Sequence, residues 1–155
     1  MSFMISGIDP APFRHFFGQA DDALAAQGVV RVVADKKPGF PCRITLEDAD
    51  PGDALLLLNY EHLPVDTPYR SCHAIYVRDG AHDSARYVDR VPEQLRSRLL
   101  SVRAFDAAGM MTDADVIGGT DLEPLIARLF GDPAVEYLHV HNAKRGCFAA
   151  RIDRA

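Results

Sequence analysis

A chain of 155 residues, 48% hydrophobic and 25% charged, is long enough to bury a sizeable core in one ordinary domain without disulfides or metals. Its formal net charge of −5 leaves no basic footprint for nucleic acid or for an anionic membrane surface. The first nine residues lack the basic start and apolar run of a signal peptide, and no later apolar stretch approaches a membrane span.

The expectation is therefore a cytoplasmic protein with a single domain over 1–155 and no nucleic-acid or membrane partner; a homo-oligomer is compatible with the sequence. Cys42, Cys72 and Cys147 are an odd, widely spaced set without a C-x-x-C pair. They read as free thiols rather than a disulfide framework or a zinc ribbon.

In chain order, Asp9 can cap a helical stretch carrying Phe13, Phe16 and Phe17, which Gly18 divides from a second piece over 21–27. Residues 29–34 are β-branched and short, a strand. Two prolines and a glycine make 36–41 a loop that presents Cys42 and Arg43. Residues 42–46 alternate as a strand, 47–53 form an acidic turn without the spacing of a calcium loop, and the apolar 54–60 reads as a strand central in a sheet. A long polar loop over 61–71 leads to a strand at 73–77, then to one or two helical turns within 91–98. Residues 100–105 and 110–116 flank a hairpin signal at 106–109. After Gly118 and Gly119, Thr120 or Asp121 caps a helix whose stripe is Leu122, Leu125, Ile126, Leu129 and Phe130. Gly131 and Pro133 stop it, and 135–153 forms a final hairpin. The fold class is α+β: a predominantly antiparallel β-sheet, with a helix near the N-terminus and one before the C-terminal β-hairpin.

Three segments together carry a resemblance. They are 38–43 with 46–49, Pro51 and Gly52; 55–60 with 68–70 and 75–77; and 139–143 with Arg145, Gly146 and Cys147. They resemble the bacterial family known as domain of unknown function 1203, over the length of the chain. The resemblance implies a bacterial, stand-alone, single-domain protein and supplies no catalytic residue.

On the final strand Tyr137, His139 and His141 share one face, while Leu138 and Val140 share the other. Their neighbours depend on the turn. A three-residue loop pairs His141 with Ala149 and His139 with Arg151, and puts Cys147 on the histidine face. A four-residue loop pairs Asn142 with Cys147 and turns the histidines toward Phe148 and Ala150.

Three chemistries compete for this surface. The favoured reading is a pocket for a small anionic or polar ligand, lined by Arg43, Tyr60, Arg70, His139, His141 and Arg151, with 60–69 as a lid. Its bland rival is a solvated face on which those arginines pair with Asp48, Asp50, Glu61 or Asp66. The second reading is metal-dependent, with His139 and His141 joined by His73, or else by His62, Cys147 or Glu61. A divalent metal is thus the cofactor in view, though not the favoured one, since strand histidines are more often structural and the glutamate of a cupin site is missing. The third is thiol catalysis by Cys42 or Cys147, with a histidine such as His73 as base, and with Arg43 or Lys144 and Arg145 supplying the positive charge a thiolate needs. Against it, free cysteines are most often small buried hydrophobes.

Overall fold

The computed structural model describes residues 1–155. Nine strands form two antiparallel sheets, where the sequence led us to expect one. They are β1 (Phe3–Ser6), β2 (Val30–Val33), β3 (Ala54–Leu63), β4 (Ser71–Arg78), β5 (Arg86–Val88), β6 (Leu99–Phe105), β7 (Met111–Gly118), β8 (Tyr137–Asn142) and β9 (Phe148–Arg154). The larger sheet has the order β5-β1-β9-β8-β6-β7, and the smaller has β2-β3-β4. The helices are short: α1 (Asp21–Ala25), α2 (Glu93–Arg96) and α3 (Leu122–Leu129). The molecule is α+β and mostly antiparallel, and no helix is long and apolar enough to cross a membrane.

One face of the larger sheet buries Leu138, Val140, Ala150 and Ile152 against the stripe of α3, Leu122, Leu125, Ile126 and Leu129. Pro124 is tolerated there because the first turn of a helix has no bond for its missing N–H to break. A 3-10 turn, Gly119–Asp121, leads into α3, and Asp121 occupies the cap position without a side-chain cap bond. Gly119 is fixed by space: a Cβ there would lie 1.8 Å from the Leu95 carbonyl oxygen.

The smaller sheet turns Leu56, Leu58, Ile75 and Val77 inward, and these pack with Phe148 of β9, so the two sheets meet where β8 and β9 begin their hairpin. The apolar run read at 54–60 is the central strand of that sheet. Ala11–Phe16 is a 3-10 helix, with the Asp9 carboxylate accepting the Ala11 N–H at 2.9 Å.

Two segments depart from the sequence reading. Residues 42–46 form a tight turn rather than a strand: Leu46 takes φ 54 and its N–H donates to the Cys42 carbonyl at 3.1 Å, while Cys42 keeps one isolated bridge to Tyr76. Alternation in so short a run is satisfied equally by a turn that buries Cys42, Ile44 and Leu46. The polar loop expected from residue 61 starts later, because β3 continues through Leu63 and β4 begins at Ser71.

Candidate metal centre and anion pocket

His139 and His141 descend from the period of β8: with Tyr137 they face the smaller sheet, opposite to Leu138 and Val140. The hairpin turn has the four-residue geometry at its end, where the Asn142 N–H donates to the Cys147 carbonyl at 2.9 Å and Gly146 adopts φ 77. His141 accordingly pairs with Phe148. A bulge at Ala149 then shifts the register, so that Val140 pairs with Ala150 and His139 with Arg151. Each expected register thus holds on one side of the bulge.

A second bulge lies across the interface. In β3 and β4, Tyr60 pairs with His73 and Leu63 with Ser71, leaving Glu61 and His62 opposite Cys72 alone. An extra residue re-aims the side chains that follow it, a device common beside functional sites. Here it accompanies the inward placement of His62, which is buried against Phe148 with the two rings stacked at 4.9 Å.

The result is a buried cluster of His62, His139 and His141, each offering one nitrogen within 4.8 Å of the others. The Nδ1 atoms of His62 and His139 are 3.4 Å apart. His141 directs Nδ1 at the Gly146 carbonyl oxygen, 2.8 Å away. A carbonyl only accepts, so that nitrogen carries the proton and Nε2 presents a bare lone pair. This Nε2 is buried and has no hydrogen-bond partner. His73 stands behind His62, its Nδ1 2.8 Å from His62 Nε2, and the Ser71 hydroxyl lies 3.2 Å from the same nitrogen.

Burial holds all of these rings neutral. It is the first cause of every depression, carrying His139 to about 2, His141 to about 3 and His62 to about 4, and lowering His73. Charges add to it. Arg103 pairs with His139 across β6 and disfavours a proton on each of the four rings, and Arg151 does the same to His139. Arg103 was not among the residues singled out from the sequence; its only signal there was a cation in the middle of an apolar strand.

Cys147 does not join this cluster. Its Sγ faces the other way, accepting from Arg43 Nη2 at 3.1 Å and from Asn142 Nδ2 at 3.7 Å. Arg43 is 1% exposed, and its other donors go to the Phe148 carbonyl at 2.8 Å and the Pro41 carbonyl at 2.6 Å. No carboxylate answers its charge, since its donors go to two carbonyl oxygens and one sulfur. Arg43 and Cys147 line a cavity of about 610 Å³ with Lys36, Arg98, Lys144 and Arg145 on its walls and Asp35 as its one acid.

The family model described as protein of unknown function (DUF1203) matches residues 39–154. The chain belongs to this family. No curated protein and no solved structure matches it. The matched span takes in both bulges, all the clustered histidines, Arg43 and Cys147, and leaves β1, α1 and β2 of this family member outside.

Of the six residues read as a ligand pocket, the 610 Å³ cavity is lined by Arg43 alone. Tyr60 packs edge-on against Phe13. Arg70 is exposed and paired with Glu61 at 3.2 Å. Arg151 lies over the Tyr137 ring at 4.1 Å and pairs with Asp153 at 2.7 Å. In the segment read as a lid, the Thr67 hydroxyl donates to the Gly109 carbonyl at 3.0 Å. Cys42 is buried and accepts the Arg78 N–H at 3.3 Å, while Cys72 is exposed.

Proposed function

We propose that this protein is a metal-binding protein whose centre is the His62, His139, His141 triad. The observation that carries the reading is the His141 Nε2 lone pair, buried without a partner while Nδ1 is locked by the Gly146 carbonyl. A ligating histidine characteristically donates its second ring N–H to a carbonyl or carboxylate, which fixes the tautomer and aims the other nitrogen at the ion. The separation of the His62 and His139 Nδ1 atoms, 3.4 Å, supports it further. A tetrahedral ion with metal–nitrogen bonds of about 2.0–2.1 Å spaces its ligands about 3.3–3.4 Å apart. Neutral imidazoles suit zinc, copper, iron and nickel, and a three-histidine set leaves the fourth position that catalytic zinc sites give to water or substrate. His73 and Ser71 are the groups that would orient His62.

The test is elemental analysis of protein prepared without an affinity tag, loaded with zinc or, anaerobically, with iron(II), then dialysed. Stoichiometric metal is the expected result. Less than about a tenth of an equivalent with either ion would leave the histidines as a buried structural network, since zinc sites of this kind hold their ion by many kcal/mol.

A second reading, a site for a small anionic ligand, is favoured by one observation of its own: Arg43 is buried with no carboxylate partner beside a cavity bearing Lys36, Lys144 and Arg145. None of those three walls' cations has an acidic partner within the fold, whereas Arg98 is held by Asp48 at 2.6 Å. An isolated buried charge is costly, and an anion in the cavity would offset it. Inorganic phosphate should bind measurably by calorimetry, and the Lys144→Ala, Arg145→Ala double variant should bind at least about tenfold more weakly at low ionic strength. Equal affinity in the two proteins would remove the reading.

A further inference from the structure

We infer that Cys147 is a covalent attachment site for small anionic disulfides, held in the cavity by its basic walls. The inference rests on the anion-pocket reading and deepens it by naming the ligand class. Two N–H donors, from Arg43 and Asn142, point at the Cys147 sulfur, and no acceptor does. That arrangement suits an acceptor-only sulfur, the thiolate being the form that attacks a disulfide. A buried guanidinium whose only other partners are carbonyl oxygens adds a fixed positive charge at the sulfur. The cavity, about 610 Å³, lies within the range of about 300–1,000 Å³ that holds drug-sized molecules.

Reaction there is a simple exchange. The Cys147 thiolate forms a bond to one sulfur of the incoming disulfide as the old sulfur–sulfur bond breaks, and its electron pair departs with the other sulfur as a free thiolate. The disulfide is itself the oxidant. Cys147 is the one cysteine on the cavity wall, so no second thiol of the cavity resolves the mixed disulfide, which persists until an external thiol removes it. Lys36, Lys144 and Arg145 at the walls then select compounds carrying carboxylates over neutral ones.

Two measurements on the whole protein test this, with Cys72 as the internal reference because it is exposed. First, alkylation by iodoacetate and by iodoacetamide is followed at each cysteine by peptide mass spectrometry. The ratio of the anionic to the neutral reagent's rate should be at least about tenfold higher at Cys147 than at Cys72, and should collapse in the Lys144→Ala, Arg145→Ala variant or in high salt. Second, oxidised glutathione should add to Cys147 at least about tenfold faster than hydroxyethyl disulfide does, once each is normalised to Cys72. Equal ratios at the two cysteines overturn the inference. If phosphate binds and iodoacetate is favoured yet oxidised glutathione leaves Cys147 unmodified, the covalent step is refuted while the anion pocket stands; if neither anion preference appears, both fall.

Discussion

Replacing His141 with glutamine is expected to abolish retention of stoichiometric zinc through dialysis, with the fold intact by circular dichroism. His141 supplies the nitrogen whose tautomer is set by Gly146, and its Nε2 has no other partner to lose. His139→Gln should do the same. His73→Ala should behave differently, weakening zinc by about 10–100-fold without abolishing it, the usual cost of removing a group that orients a ligand. His73 is hydrogen-bonded to His62 and packs edge-on against His141 without being one of the three clustered ligands, which is why its effect is indirect. His15 and His82 are exposed, and alanine at either should leave affinity unchanged. Zinc retained at full stoichiometry by His141→Gln would place the metal elsewhere.

In the metal-free protein, stability should fall steeply as the pH drops from 6.5 to 5. His139, His141 and His62 are held neutral in the fold, near 2, 3 and 4, against an ordinary value of 6.5. Below pH 6.5 the unfolded chain takes up protons that the folded chain refuses. The stabilisation is therefore fully present above 6.5 and is lost as the pH falls toward the folded values. Each ring removes about 1.6 kcal/mol between pH 6.5 and 5, the slope rising toward about 1.4 kcal/mol per pH unit as the unfolded ring becomes fully protonated. Three rings together approach roughly 5 kcal/mol, a large share of the roughly 5–15 kcal/mol that a domain possesses.

Two carboxylates with lowered values act below this window. Asp50, held below its ordinary 3.8 by Lys37, and Asp89, held down by the Phe3 N–H, lose their contributions only below it. The urea midpoint should follow the histidine slope, and His139→Gln should remove about a third of it. A midpoint constant from pH 6.5 to 5 would mean that the rings accept protons inside the fold at no cost.

How much of this was legible in the sequence differs from residue to residue. The stripe of α3 and the alternation of β8 follow from periods of 3.6 and 2, and both elements stand where those periods put them. The pairing of His139 with His141 was readable for the same reason. His62 appeared only as one of several third partners, because a segment of mixed polarity with prolines beyond it reads as loop, whereas pairing with β4 carries β3 through Leu63. β1 and β5 were passed over as four- and three-residue strands, too short to show a period. The second sheet was equally invisible, since pairing between strands distant in sequence leaves no local trace.

Sequence alone determined the class of fold, the helix that precedes the C-terminal hairpin, and the face on which two histidines lie. Those properties depend on periodicity and on local backbone preference, which a short window of residues contains. Tertiary structure decided the rest. The parity of the C-terminal loop chooses between Cys147 and Phe148 as neighbours of the histidines, and the bulge at Ala149 makes the outcome differ along the strand. Cys147 was thereby sent to Arg43 and the histidines to His62. A bulge is a one-residue slip whose sign is set by what the two faces must bury, and burial is known only once both sheets are in place.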